Sequence, residues 1–172
     1  MNEVIIVSDS HGLTKELQSI AARHKTKEKI HCGDSELQVD SEYMAPYQTV
    51  KGNCDWNADF PEEQLIEMDG LKIYVTHGHL YGVKSSLLQL QYRAEELGAD
   101  IVCFGHSHIA YAEKIGDILY INPGSIRYPN RTKKPSYVAL SWDDRTNVNV
   151  QFYHVNGEEI TDFPYEKTFN LK

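Results

Sequence analysis

Apolar residues run without interruption from Val4 to Val7 and give way to the polar SDSHG, the pattern of a buried strand that ends in a loop. Thr14 to His24 then reads as a helix with Leu17, Ile20 and Ala21 on one face. Lys29 to Cys32 has the look of the next strand, so the chain opens with a βαβ unit and a parallel, layered fold is expected. Gln48 to Lys51 and Leu71 to Thr76 are further strand candidates, the second ending in HGH. Ser85 or Ser86 can cap a helix that carries Leu87, Leu90, Ala94 and Leu97 on one face and stops at Gly98. The strand Ile101 to Phe104 follows and ends in GHSH. Beyond it come short alternating strands, Ala110 to Lys114, Leu119 to Ile121, Tyr137 to Trp142 and Val148 to Val155. The turn signals GD at 116 and 117 and DDRTN at 143 to 147 make antiparallel hairpins of them. Two sheets between helical layers would use every piece. The closing GEEITDFPYEKTFNLK is polar and holds a proline, and is expected to lie over the surface or fray.

Length and composition narrow the picture. At 172 residues the chain is expected to form a single domain over 1–172, large enough to bury a core. With 41% hydrophobic and 24% charged residues it reads as an ordinary globular protein. No apolar run approaches the roughly 20 residues of a membrane span. The start, MNEVIIVSDSHG, lacks a basic region before its short apolar run, so a cytoplasmic location and no membrane partner are expected. The three cysteines, Cys32, Cys54 and Cys103, include no CxxC pair, which argues against a disulfide framework and against a zinc ribbon. Cys32 and Cys103 end apolar runs and read as buried thiols. A net charge of -8 disfavours extended nucleic acid as a partner. A small phosphate ester stays compatible if something local reverses the field.

Polar clusters recur at the ends of the apolar runs: Asp9 and His11 in DSH, Asp34 in GD, Asn53 in GNCD, His77 in HGH, His106 and His108 in GHSH. Loops at the carboxyl ends of strands line the crevice of open α/β sheets, so these clusters can converge although they are far apart in sequence. The i, i+2 spacing of Asp9 with His11 and of His106 with His108 would, in extended chain, point both side chains the same way. Gly33, Gly52 and Gly105 would let the backbone turn or pass close to a ligand. Two carboxylates, four imidazoles and one amide oxygen suit divalent transition ions rather than a thiolate-loving site. Seven ligands are too many for one catalytic ion with an open position, and two ions sharing a carboxylate fit better.

In their order, DSHG, GD, GNCD, HGH and GHSH, followed by NPGS, resemble the calcineurin-like metallophosphoesterase superfamily, in particular its small single-domain bacterial and archaeal phosphodiesterase branch. The resemblance runs from about Val4 to Ser125. It implies a four-layer αββα sandwich of two mixed β-sheets flanked by helices. Carried over residue by residue, it implies that Asp9, His11 and His108 hold one ion, that Asn53, His77 and His106 hold the other, and that Asp34 bridges them. The activity it implies is hydrolysis of phosphate esters by in-line attack of a metal-bridging hydroxide. Manganese is the favoured ion, with iron, zinc, nickel and cobalt open to the same ligand types. Two divalent ions, two carboxylates and a hydroxide leave roughly one positive charge inside an acidic protein, enough to draw a small anionic ester. The branch also admits a homo-oligomer. A phosphomonoesterase or nucleotide pyrophosphatase on the same site is the alternative activity, and a non-catalytic protein-interaction scaffold of the same fold is the alternative outside enzymes. The complete ligand set favours catalysis.

The family more often has Asn, His and then Asp or Glu where this chain has GNCD, and that histidine acts beside the leaving group. Here the position is Cys54. A thiol near its usual pKa of about 8.5 donates a proton to a departing alkoxide less readily than an imidazolium near 6.5. Asp34 and Asn53 are therefore the catalytic expectation, with Cys54 lining the pocket in a weak general-acid role or none. Asp55, which would orient that histidine, is expected only to cap the turn. His77 is preferred to His79 within HGH, His31 is expected to be packed, and His24 and His154 carry no functional sign. Arg127, Arg131, Lys133 and Lys134 read as a solvated basic loop in preference to a phosphate contact.

Overall fold

The computed structural model describes residues 1–25, 27–130 and 134–172. In chain order the elements are β1 (Asn2–Val7), α1 (Lys15–Arg23), β2 (Glu28–His31), β3 (Gln48–Thr49), β4 (Glu63–Met68), β5 (Leu71–Thr76), α2 (Leu88–Leu97) and β6 (Ile101–Cys103). Then follow β7 (Tyr111–Ile115), β8 (Ile118–Asn122), β9 (Ser136–Trp142), β10 (Val148–His154) and β11 (Thr168–Phe169). They form a six-stranded sheet in the order β11-β10-β9-β1-β2-β3 and a five-stranded sheet in the order β4-β5-β6-β8-β7. Both sheets are mixed: β1 pairs parallel with β2 and antiparallel with β9, and β5 pairs parallel with β6 and antiparallel with β4.

Strand alternation builds the layers. Val4 and Ile6 of β1 face the space between the sheets, where they join Ile73 and Val75 of β5, Ile101 of β6 and Leu119 and Ile121 of β8. Ile5 and Val7, the intervening residues, face Leu17 and Ile20 of α1. On the far side, Tyr74, Val102 and Tyr120 meet Leu90 and Ala94 of α2. Three apolar layers separated by two sheets make the four-layer αββα sandwich, and they explain why the strands read as continuous apolar runs: both faces are buried.

The tail departs from expectation. Val148 and Asn149 of β10 pair with Phe169 and Thr168 of β11, Phe169 and Leu171 are buried, and Phe163 stacks on Phe152. The apolar residues of the segment are spaced by polar ones, so it carries no run long enough to read as a strand, yet each finds a place against the core. β4 has no counterpart among the strands expected from the sequence. It is an edge strand with Leu65 40% exposed, which blurs its alternation. α2 starts at Leu88, with Leu87 at its N-cap and the Ser86 hydroxyl accepting from the Leu88 amide one step outside. Gly98 ends it in left-handed geometry as expected.

Candidate metal centre

The parallel strands β1, β2 and β3 of one sheet and β5 and β6 of the other send their carboxyl-end loops to one edge of the sandwich. Pairing persists beyond β1 and β2, with the Asp9, His11 and Gly12 amides donating to the carbonyls of Gly33, Asp34 and Ser35 at 3.0, 2.9 and 2.8 Å. The two sheets are tied at this edge because His77 Nδ1 lies 2.7 Å from the Cys32 carbonyl. Behind them the Ser125 hydroxyl, from the NPGS stretch, donates to the Asp9 carbonyl at 2.7 Å.

The i, i+2 pairs converge by a route other than extended chain. Asp9, His11, Asp34, His106 and His108 have φ of 55°, 41°, 59°, 69° and 60°, in the left-handed region. Asp and His tolerate this region better than most residues, but each such position carries strain of order 1 kcal/mol or more. Gly52 and Gly105 make room for the carboxylates: a Cβ on Gly52 would stand 2.0 Å from Asp34 Oδ1, and one on Gly105 would stand 2.5 Å from Asp9 Oδ2. Neither glycine has a positive φ, so close approach alone demands them.

The seven candidate residues are brought together. Donor atoms of Asp9, His11 and His108 lie within 4.8 Å of one another, and so do those of Asp34, His77 and His106. Asp34 Oδ2 stands between the two groups, 3.1 Å from His77 Nε2 and 3.9 Å from His11 Nε2. Asn53 Oδ1 completes the second group, 3.1 Å from His77 Nε2. The Nε2 atoms of His11 and His108 face each other at 3.3 Å.

Asp9 is wholly buried, and its Oδ1 has no hydrogen-bond partner although His108, His77 and His11 present Nε2 to it at 3.2, 3.7 and 3.8 Å. A buried carboxylate oxygen left this way is costly unless a cation completes its surroundings. His77 and His108 are oriented to serve one, since their Nδ1 atoms point at the Cys32 and Tyr128 carbonyls at 2.7 and 2.8 Å and their Nε2 atoms point inward. The residues present therefore fit divalent cations, and exposed Asn53 leaves the centre open on one side.

Electrostatics point the same way. Burial would raise the Asp9 carboxyl, but the imidazoles of His108 and His77 close to it hold it below its ordinary value. The Asp34 carboxyl is held far below the usual range, where the His77 bond and charge overcome burial. Burial would lower His77, but Asp34 against its Nε2 and the Asp9 charge raise it, and His108 is raised chiefly by the Asp9 carboxylate 3.2 Å from its Nε2. His106 is pushed down to about 4, by burial first and then by His77 and Lys84. The cage thus draws positive charge between its two carboxylates.

Around the cage, Asp55 does more than cap a turn. It is buried, and its Oδ2 accepts from the Gly52 and Asp34 amides at 2.7 and 2.8 Å while Oδ1 accepts from Glu36 at 2.8 Å. The GD and GNCD loops are pinned to one another through this carboxylate. Cys54 donates its amide to Asp34 Oδ1 at 2.8 Å, and its thiol is pushed up to about 11, by burial first and then by Asp34. A thiol so placed stays protonated at neutral pH and is no nucleophile. Glu36, which no sequence motif marks, has Oε2 3.4 Å from His11 Nδ1 and forms a third group with His11 and Cys54. Only its place two residues after Asp34 could have signalled it.

His79 packs beside His77 and His106 but belongs to neither donor group. His31 is packed as expected, with Nδ1 accepting from the Gly33 amide at 3.0 Å and Nε2 2.8 Å from the Ser10 hydroxyl. Arg127 is exposed, as expected of a solvated loop, and also donates to the His11 carbonyl at 2.6 Å, which braces the DSH loop. Lys134 lies on a separate cavity with Ser136 and Phe163, and Arg131 and Lys133 lie outside the described residues.

Residues 2–145 match the model of the calcineurin-like phosphoesterase superfamily domain. The chain is 52% identical over 161 residues to a probable metallophosphoesterase, YsnB, of Bacillus subtilis, covering 92% of this chain and 95% of that protein. It is 33% identical over 102 residues to the phosphodiesterase YfcE of Escherichia coli, covering 55% of this chain and 52% of that one. A crystal structure of a predicted phosphoesterase from Streptococcus pneumoniae superposes with a TM-score of 0.91 at 34% identity, covering 97% of both chains. The strand order, the loop-borne cage and these matches together mean that the chain belongs to the calcineurin-like phosphoesterase superfamily.

Proposed function

We propose that this chain is a metal-dependent phosphodiesterase with a dinuclear centre, formed by one domain over residues 1–172. Asp9, His11 and His108 would hold one divalent ion, Asn53, His77 and His106 the other, and Asp34 both. Manganese is the favoured metal, on the oxygen and imidazole donor set. The observation that carries the reading is the orphaned Asp9 Oδ1 with three imidazole Nε2 atoms turned toward it.

When bound, the ions supply an acidified water as nucleophile and withdraw charge from the phosphoryl oxygens. The chain's own residues do the rest. Asp55 holds Asp34 by its amide, and the Cys32 and Tyr128 carbonyls fix the rings of His77 and His108. The protonated Cys54 thiol gives little help to a departing alkoxide, so the reading favours diesters with good leaving groups.

Metal-stripped protein should fail to hydrolyse bis(p-nitrophenyl) phosphate and regain the activity with a single added metal. Asp34→Asn should lose activity by several orders of magnitude. Equal rates with and without metal, or a fully active Asp34→Asn variant, would overturn the assignment.

A further inference from the structure

A cavity of about 640 Å³ opens directly beside His106 and His108. That is the size of a small-molecule site. Its walls come from distant parts of the chain. Tyr111 at the start of β7 and Tyr165 of the C-terminal segment bring their rings within 5.2 Å of each other, and Ile109 adds an aliphatic side. The Tyr111 hydroxyl is occupied by Glu113 at 2.7 Å, so Tyr111 offers its ring. Such walls suit a flat ring better than they suit water.

Lys84 and Asn130 add polar character to this lining. Lys84 is exposed and has no carboxylate within ion-pair distance among the described residues. In a chain of net charge -8, a cation left unpaired beside a cage that draws phosphate is a ready partner for a second anion. The ring-lined wall and the free ammonium therefore ask for one ligand that carries both features.

We propose that this cavity, on the phosphodiesterase reading above, seats the arm of the substrate that stays on phosphorus, and that the arm is a nucleoside bearing a further phosphate that Lys84 meets. Tyr111 and Tyr165, packed edge-to-face on each other, would form one aromatic wall against the base. The C-terminal segment would then be part of substrate selection, since it supplies Tyr165 to the wall.

Three chromogenic diesters that release the same p-nitrophenolate test this: bis(p-nitrophenyl) phosphate, the p-nitrophenyl ester of thymidine 5′-phosphate, and that ester carrying a 3′-phosphate. For manganese-loaded protein, kcat/KM should rise along the series. Lys84→Ala should remove the gain of the third over the second, about tenfold or more for a charge-assisted hydrogen bond, and Lys84→Arg should keep it. Tyr165→Ala should shrink the gain of the second over the first. Binding gives a readout independent of turnover: thymidine 3′,5′-bisphosphate should bind Lys84→Ala about tenfold more weakly than the unchanged protein, on the same charge-assisted bond. Equal kcat/KM for all three diesters, or ratios and binding unmoved by Lys84→Ala, would overturn the inference and leave the phosphodiesterase reading standing. Absence of metal-dependent hydrolysis of all three would overturn that reading, and bisphosphate binding would then decide the cavity alone.

Discussion

Asp55 is the residue through which the structure makes its most exposed energetic claim. Its carboxylate is 2% exposed and gathers three backbone amides from two loops: Gly52 and Asp34 on Oδ2, Glu36 on Oδ1. Asp55→Ala strands the Gly52 and Asp34 amides inside the protein, at about 1–3 kcal/mol each, while the amide of exposed Glu36 can turn to water. A total near 4 kcal/mol is expected. Asp55→Asn can keep its oxygen on the Oδ2 side and lose only the Glu36 bond and the charge, for about 2 kcal/mol. The order Ala worse than Asn follows from how the amides are shared. Urea denaturation of metal-free protein measures both losses, and manganese titration by calorimetry measures the effect on the cage. Affinity should fall about 10- to 100-fold because the Asp34 loop loses its anchor. If Asp55→Asn stays within about 0.5 kcal/mol of the unchanged protein, below the worth of a typical hydrogen bond, and binds manganese equally, the carboxylate does not hold the loops as described.

Three further changes probe separate links. His31 is fully buried and its pKa is pushed down to about 4, by burial despite the Asp9 charge, so its neutral form stabilises the fold above its ordinary 6.5 and that stability is lost as pH falls toward 4. His31→Gln should remove up to about 3 kcal/mol of the acid loss across that window, read from urea midpoints against pH, and an unchanged pH profile would refute it. Gly105→Ala places a methyl 2.1 Å from Ser8 Oγ and 2.5 Å from Asp9 Oδ2, and should destabilise by about 3 kcal/mol in thermal melts, with wild-type stability as the refuting result. Cys54→His should accelerate alkyl-leaving-group diesters by about 100-fold while moving aryl diesters far less, and equal effects on both would reject the weak-acid reading of Cys54.

Where a strand is buried on both faces, its identity was visible. β1 and β5 fall within a residue or two of their apolar runs, and the hairpins at 116–117 and 143–147 formed where GD and DDRTN stood. β4 was hidden by its edge position, although its turn was signed: Asp69 and Gly70 have φ of 45° and 82°, the geometry that an Asp-Gly pair favours in a tight hairpin. The gathering of Asp9, His11, Asp34, Asn53, His77, His106 and His108 at one edge was legible from strand-end placement and from the family resemblance. The means of gathering were not. Left-handed backbone at Asp9 or His108 has no signature in residue type alone, because the strain is imposed by neighbours such as Gly105 and Ser125. Asp55 likewise looked like a turn residue because its partners are backbone amides, which every sequence contains. The order of the tail is not legible in the sequence because its few apolar residues are isolated along the chain and become a surface only when β10 is in place.

The position of β1 inside its sheet bears on how the protein is made. All seven candidate ligands have left the ribosome once His108 has emerged, but β9, which flanks β1 on its other side, begins only at Ser136. Ser125, which grips the Asp9 carbonyl, is also still to come. A nascent chain therefore carries every ligand before it has the frame that holds them, and an ion can be captured in its final geometry only after Ser125 and β9 have followed.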